Sequence, residues 1–373
     1  MIRKIAIHLP QFHPIPENDT WWGKGFTEWT NVTKAKPLFH GHHQPHLPAD
    51  LGFYDLRLEE TRMAQESMAK EYGIYGFCYY HYWFNGKRLL QEPLERKLNN
   101  PKEDLPFMLC WANENWTRRW DGGDETILIK QNYSAQDAEE HCKCLIRFFK
   151  DKRYIRINGK PVFAVYKSWL LPDNIPYMEV FKKTAQQFGV ELYLIRFEAH
   201  EKFGATFMNG YDAAAEFEPF SYWLNEYRIE KYFSQFKNII KKIKLDFIYK
   251  GEQYLKKRQH ILSKSHRLKK INYSSYVDFI TSRYSYPNDY TRFPCATPMW
   301  DNTARRGKDA FYFYNSSPQA FGKWLNFHKK NYQPVSAEEN LFFINAWNEW
   351  AEGNHLEPCQ KWGTAFLEEV AKL

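Results

Sequence analysis

Two glutamates near the C-terminal end of the sequence have the type and spacing that acid–base chemistry requires. Glu349 and Glu352 follow an apolar run, and residues at 345, 347 and 349 alternate onto one face of an extended chain. If the chain turns sharply before Gly353, the two carboxyl groups meet at one ligand. Carboxyl groups at short range separate their pKa values and supply an acid and a base, as glycosidic bond cleavage requires. The alternative is that Glu352 only caps, or pairs with, the following loop.

Carboxylate, amide and aromatic side chains also follow other apolar runs of the sequence. These candidate substrate-binding residues are His8, Gln11 and His13, Tyr80, His81 and Trp83, Trp111, Asn113, Glu114 and Trp116, Glu216 and Glu218, Trp300 and Asp301, and Asn345, Trp347, Asn348 and Trp350. Sugar hydroxyls need planar hydrogen-bonding groups, and sugar C–H faces stack on indole rings. Buried polar groups cost free energy unless they have partners, so polar residues at one end of each run indicate a ligand site. We therefore expect a sugar site at these ends.

Eight short apolar runs must position these residues. They span residues 2–9, 73–82, 106–112, 161–167, 191–197, 212–217, 294–300 and 341–347, and helical patterns span 56–71, 89–99, 135–150, 177–188, 318–331 and 364–373. Runs that are apolar throughout are typical of parallel strands buried on both faces. The pattern predicts an α/β fold, a (β/α)₈ TIM barrel, whose active site lies where the strands end. An open doubly wound sheet is the alternative, but no Gly-x-Gly-x-x-Gly follows a strand.

Two long insertions interrupt the predicted barrel. Residues 10–54 follow the first strand, and residues 219–293 follow the sixth as a basic, largely helical insertion. Segment 221–285 holds 15 Lys and Arg against 5 Asp and Glu, whereas the whole chain has a net charge of +8. This segment is either a solvated helical face or a peripheral contact with an anionic membrane. The prediction is one catalytic domain over residues 1–373.

Composition excludes several classes of protein. A chain of 373 residues that is 43% hydrophobic and 26% charged is neither disordered nor collagen-like. No apolar run is long enough to span a membrane, and six cysteines without a Cys-x-x-Cys pair favour reduced thiols, so we expect a cytoplasmic protein. His40, His42, His43 and His46 do not follow metal-site spacing, and we expect no metal, no cofactor and no nucleic acid.

Several motifs together resemble the WbsX family, which is related to glycoside hydrolase family 99, the endo-α-mannosidases. They lie at residues 8–13, 22–29, 47–52, 80–84, 111–116 and 345–353. They add Trp22, Glu28, Trp29 and Asp50 to the expected substrate-binding residues. Arg118 and Asp121, which follow the third strand, are also expected there: Arg118 could receive an anionic substituent, or it could pair with Glu114 or Asp121.

The resemblance implies a retaining (β/α)₈ enzyme that acts on α-mannosides. It implies that Glu349 takes the proton of the sugar 2-hydroxyl, giving a 1,2-anhydro intermediate. Glu352 would protonate the leaving oxygen and later activate water or an acceptor. Ala351 stands where family 99 has a histidine, which puts the substrate contacts in doubt.

Three functions remain open from the sequence. The first is a glycoside hydrolase or transglycosylase of bacterial surface-polysaccharide metabolism, with an oligo- or polysaccharide substrate. The second is a sugar-nucleotide-dependent glycosyltransferase, although the sequence contains no Asp-x-Asp motif and no Gly-rich phosphate loop. The third is a glycan-binding barrel that has lost turnover.

Overall fold

The computed structural model describes residues 2–118, 123–200, 202–243 and 270–373. Within these ranges eight parallel strand positions form a barrel. Its strands are Arg3–His8 (β1), Gly76–Phe84 (β2), Phe107–Trp111 (β3), Lys160–Val165 (β4), Tyr193–Glu198 (β5), Ala213–Glu216 (β6), Cys295–Ala296 (β7) and Leu341–Ile344 (β8). From β1 to β6 each strand pairs with the next, β7 pairs with β8, and β1 pairs with β8 through partners such as Ile5 and Phe343. The predicted (β/α)₈ TIM barrel is confirmed.

The seventh position is divided by Pro294. Arg292–Phe293 pairs with β6, and β7 pairs with β8, so two short pieces together close the barrel. The Pro294 carbonyl accepts a hydrogen bond from the backbone N–H of Phe343, but proline itself has no N–H to donate. This strand is therefore shorter than the predicted run of residues 294–300.

Helices cover the outside of the barrel and form parts of both insertions. They are Pro16–Trp22, Glu28–Lys34, Glu59–Glu71, Glu92–Asn99, Ala135–Phe149, Tyr177–Gln187, Tyr222–Ile243, Tyr273–Arg283, Thr303–Arg306, Pro318–Asn331 and Ala365–Ala371. All six predicted helical patterns are present, with small shifts at their ends. Ser134 caps one helix by accepting a hydrogen bond from the backbone N–H of Asp137.

Short strands extend the loops around the barrel. They are Lys87–Leu89, Trp116–Arg118, Gly123–Ile129, Arg156–Ile157, Arg292–Phe293, Lys270–Asn272, Tyr312–Tyr314, Asn348–Glu349 and Asn354–His355. Single 3₁₀ turns occur at Ser168–Leu170, Ala205–Phe207, Gly307–Asp309 and Trp350–Glu352. The last of these turns follows β8, contains Glu352 and comes directly after Glu349.

Both insertions pack on the barrel where they are described. In the first, Phe12 and Trp29 are buried in the main hydrophobic cluster. In the second, Tyr273 and Tyr276 are completely buried in that same cluster. Within the basic segment 221–285, the lysine and arginine clusters at residues 241–244 and 256–258 are not among the residues whose side chains the structure describes. No helix in the described ranges is both long and apolar enough to cross a bilayer.

Candidate active site

A tight turn after β8 carries the two glutamates. Asn348–Glu349 pairs antiparallel with Asn354–His355, and the 3₁₀ turn Trp350–Glu352 connects these short strands. Gly353 closes the turn with a φ of +52°, a left-handed conformation that glycine adopts without the steric cost of a β-carbon. The chain thus reverses within a few residues, as the sequence predicts.

Arg305 joins the two carboxylates. Its Nη1 lies 2.7 Å from Oε1 of Glu352, and its Nη2 lies 3.2 Å from Oε2 of Glu349. Arg305 belongs to the short helix Thr303–Arg306, which follows β7. One guanidinium therefore contacts both carboxylates and brings the two side chains to the same place in the fold.

Burial changes the ionisation of both glutamates. Burial and then the charge of Glu352 raise the pKa of Glu349 well above its ordinary value, although Arg305 opposes them. Burial also raises the pKa of Glu352, and Arg305 lowers it. Carboxyl groups that interact this closely titrate as a pair.

Glu28 is a third carboxylate at the same guanidinium. Its Oε1 lies 2.6 Å from Nη2 of Arg305 and also accepts the backbone N–H of Ala351 at 3.0 Å. The residue is completely buried. Glu28 therefore connects the loop after β1 to the turn between Glu349 and Glu352.

Aromatic rings form one wall beside the glutamates. Tyr80 and Tyr82 lie on the inner face of β2, and burial, followed by the charge of Glu349, raises the pKa of both phenols well above the ordinary value. The Trp116 ring packs 5.2 Å from the Tyr82 ring, and the Trp21 ring packs 5.9 Å from that of Trp116. Trp116 is half-buried, so this wall offers an aromatic face of the kind that sugars stack on.

A buried carboxylate behind the turn fixes its outer side. Glu357 Oε2 accepts hydrogen bonds from Trp350 Nε1 at 2.6 Å and from the Tyr54 hydroxyl at 2.8 Å. Glu357 Oε1 accepts one from Gln65 Nε2 at 2.6 Å. Burial raises the pKa of Glu357 to about 7, although these donors oppose the shift. The Tyr54 hydroxyl also accepts from Asn348 Nδ2, so the network supports both sides of Glu349.

Comparison with known proteins assigns a family. Residues 4–370 match the family described as Glycosyltransferase WbsX. The chain belongs to the WbsX glycosyltransferase family. The protein WxcX from two strains of Xanthomonas campestris pv. campestris is 36% identical over 366 residues, 98% of this chain and 48% of WxcX. WxcX is described as uncharacterized, and the WbsX-family chain spans about half the length of these relatives.

Solved structures agree with the barrel of this WbsX-family chain. A glycoside hydrolase-like protein is 12% identical with a TM-score of 0.58, covering 100% of this chain and 93% of its own. The GH99 endo-alpha-mannosidase from Bacteroides thetaiotaomicron is 12% identical with a TM-score of 0.57, covering 99% of this chain and 96% of its own. At this identity the likeness concerns the fold. The resemblance to the WbsX family that the motifs indicate is confirmed.

Four predicted residues of the WbsX-family chain face the helix layer instead of the glutamates. His8 Nε2 contacts Gln65 Oε1 at 3.2 Å, and His81 Nε2 contacts His141 Nε2 at 2.9 Å. Trp83 Nε1 donates to Asp137 Oδ1 at 2.9 Å. The Trp111 ring packs against the rings of the helix residues His141 and Tyr177.

The predicted amide residues hold the ends of neighbouring strands together. Asn113 exchanges hydrogen bonds with the backbone of Lys167, and Asn348 exchanges them with the backbone of Leu9. Asn345 Nδ2 donates to the Glu218 carbonyl at 2.6 Å. These amides therefore fix the loops around the glutamates.

Glu216 and Glu218 connect β6 to the second insertion. Glu216 Oε2 accepts from the Tyr284 hydroxyl, and Glu218 Oε2 accepts from the Tyr276 hydroxyl, both at 2.9 Å. Burial, and then the charge of Glu216, raises the pKa of Glu218 to about 8. Both carboxylates are buried and anchor the region of helix Tyr273–Arg283.

The other predicted tryptophans are mostly buried. Trp29 Nε1 donates to the Tyr54 carbonyl at 2.9 Å, and the completely buried Trp347 packs against Phe77. The Trp350 ring stacks on His355 with centroids 3.8 Å apart. Trp300 is 2% exposed and packs against Phe220.

The remaining predicted polar residues mostly contact other groups of the protein. Asp301 Oδ2 lies 2.7 Å from His42 Nε2, and the Asp301 backbone N–H donates to the Glu352 carbonyl at 2.7 Å. Arg118 lies over the Trp22 ring, and Glu114 forms an ion pair with Lys167. Gln11 and His13 are buried, Asp50 is exposed, and Asp121 lies outside the described residues.

The histidines of the first insertion form pairs. His42 pairs with Asp301, and His46 Nδ1 lies 3.0 Å from His355 Nε2. Within the described ranges no three His, Cys, Asp or Glu side chains converge as metal ligands would. The six cysteines are free thiols.

Proposed function

We propose that this WbsX-family chain cleaves or transfers an α-glycosidic bond of a bacterial surface polysaccharide or its precursor. The observation that carries the proposal is the meeting of Glu349 and Glu352 at one guanidinium, beside an aromatic wall. A mannosidic bond is the first candidate, since the GH99 barrel that this fold resembles is an endo-alpha-mannosidase. The substrate class is an oligo- or polysaccharide.

The proposed reaction uses each glutamate twice. Glu349 takes the proton from the sugar 2-hydroxyl while that oxygen attacks C1, and Glu352 gives a proton to the leaving oxygen as the C1–O bond breaks. Glu352 then takes a proton from water or an acceptor hydroxyl, which attacks C1. The C1–O2 bond opens, and Glu349 returns its proton to O2, so the configuration at C1 is retained.

A second candidate is transfer from a sugar nucleotide, which the family description favours. Such transfer needs a site for the nucleotide diphosphate. The described residues next to the glutamates instead include Glu28, a third carboxylate, which disfavours a diphosphate beside them. We therefore place glycosidic cleavage or transfer first.

We further propose a cytoplasmic site of action, with the basic segment 221–285 at the surface of the inner membrane. The charge of this segment supports an attraction to anionic lipids, where lipid-linked saccharides are assembled. Equal binding to neutral and anionic vesicles would contradict it.

The test is incubation with labelled oligosaccharides and polysaccharide precursors, with and without nucleotide sugars, followed by mass spectrometry. We expect products without nucleotide sugars, and a loss of about 10²–10⁴ in rate for both Glu349→Gln and Glu352→Gln. The matched control is Glu191→Gln, which changes an exposed glutamate in an ion pair with Lys160. Products that require a nucleotide sugar, or full turnover by both variants, would overturn the proposal.

A further inference from the structure

The three carboxylates at Arg305 are not equivalent. Glu352 has Nη1 at 2.7 Å, whereas Glu28 and Glu349 both use Nη2, at 2.6 Å and 3.2 Å. Short charge-assisted hydrogen bonds favour the ionised carboxylate. The geometry therefore favours negative charge on Glu352 and gives the weakest ion pair to Glu349.

Glu28 keeps Arg305 in this orientation. It is completely buried, and its Oε1 accepts from both Arg305 and the backbone of Ala351. Ala351 lies between the two reacting glutamates, so the position of the guanidinium and that of the turn are coupled. Glu28 Oε2 is buried without a hydrogen-bond partner among the described residues.

The other groups that face Glu349 and Glu352 also favour negative charge on Glu352 over negative charge on Glu349. Tyr80 and Tyr82 lie close enough to Glu349 for its charge to act on their phenols, and neither phenol carries positive charge. Arg306 adds positive charge on the side of Glu352. The charge of Glu28 acts on both glutamates.

We infer that Arg305 is a positioning residue that, held by Glu28, keeps Glu352 ionised and leaves the proton of the pair on Glu349 in the substrate-free enzyme. This inference rests on the proposed function only in taking Glu349 and Glu352 as the reacting pair. The reaction starts with a proton on Glu352 and none on Glu349. Substrate binding must therefore transfer that one proton from Glu349 to Glu352, and the ion pair between Arg305 and Glu352 must weaken as it does so.

The test is a titration of the two carboxyl groups by ¹³C NMR in protein labelled at the glutamate side-chain carboxyl carbon. Spectra of Glu349→Gln and Glu352→Gln assign the two signals. We expect Glu352 to titrate at lower pH than Glu349 in the unmodified protein. Arg305→Met should raise the Glu352 midpoint by about one to three pH units, the usual effect of one adjacent arginine, and raise the Glu349 midpoint less.

Glu28→Gln tests the same inference without removing the cation. The substitution releases Nη2 of Arg305 for Glu349, so the titration midpoint of Glu349 should fall toward that of Glu352. This test remains available even if the Arg305→Met variant does not fold. The matched control is Arg96→Met, at an exposed ion pair with Glu92, which should leave both midpoints unchanged.

Two results would overturn the inference: Glu352 titrating above Glu349 in the unmodified protein, or no change in the separation of the midpoints in either variant. The titration needs no glycan. Its failure is therefore distinct from failure of the proposed function, which appears as an absence of product.

Discussion

Replacing Glu357 by glutamine should reduce the loss of folding stability as the pH rises from 4.5 to 8. Glu357 is 1% exposed, and its pKa is raised by burial from 4.5 to about 7. In the unfolded chain the carboxyl group ionises near 4.5, whereas the folded protein keeps it protonated until about 7. A raised pKa therefore contributes stability that is fully present below about 4.5 and is lost as pH rises through about 7.

The magnitude follows from the difference of about 2.5 pKa units, at about 1.4 kcal/mol each. Between pH 4.5 and 8 the unmodified protein should lose about 3 kcal/mol relative to Glu357→Gln. A glutamine oxygen can accept from both Tyr54 and Trp350, and Gln65 can turn its own amide oxygen toward the new NH₂ group. The variant should therefore fold.

The assay is urea unfolding of both proteins at pH 4.5, 6 and 8, followed by tryptophan fluorescence. The difference in unfolding free energy should change by about 3 kcal/mol in favour of the variant over this range. Glu368→Gln, at an exposed glutamate, is the matched control and should show no such change. A difference that stays constant with pH would refute the reasoning, because it would mean that Glu357 ionises alike in both states.

Two further predictions concern Gly353, in the turn after β8, and the buried His8. Gly353→Ala places a β-carbon 2.8 Å from the Asp301 β-carbon, at a φ of +52° that alanine rarely adopts. The substitution should therefore displace Glu352 and lower turnover about tenfold or more. Wild-type turnover by this variant would contradict the prediction. Burial lowers the pKa of His8 to about 3, so its contribution to stability, present above about 6.5, is lost as pH falls toward 3. His8→Asn should therefore lose about 3 kcal/mol less than the unmodified protein between pH 6.5 and 4, measured by urea unfolding; parallel pH curves would contradict this.

The barrel could be predicted because its strands are buried on both faces. Runs such as β2, which is buried along its whole length, are visible as continuous apolar segments. The prediction of the seventh strand was the least accurate, because Pro294 divides this strand into two short pieces that pair with β6 and with β8.

The candidate site was harder to predict because side-chain direction alternates along a strand. On β2, Tyr80 and Tyr82 face Glu349, whereas His81 and Trp83 face the helix layer. The candidate substrate-binding residues Tyr80, His81 and Trp83 therefore come from both faces of the strand, and Tyr82 is not among them. A stricter use of the two-residue period would have separated them.

Arg305 and Glu357 were not predicted at all. Arg305 lies in the short helix Thr303–Arg306 after β7, far from Glu349 in sequence, and no local pattern marks it. Glu357 follows the turn as one more acidic residue, and only the burial and its three donors distinguish it. Contacts of this kind depend on how loops from different strands meet, which the sequence does not display.

The most direct test of the central claim is a crystal structure with iminosugars, soaked as a set of manno-, gluco-, galacto- and rhamno-configured rings. At least one ring should occupy the space between Glu349 and Glu352, with its cationic nitrogen within about 3 Å of a carboxylate oxygen and a ring face against Trp116. Binding should be lost in Glu352→Gln, which removes the glutamate inferred to be ionised, and kept in Glu191→Gln. Rings that bind only elsewhere on the protein, or no binding by any of the four at saturating concentration, would contradict the account.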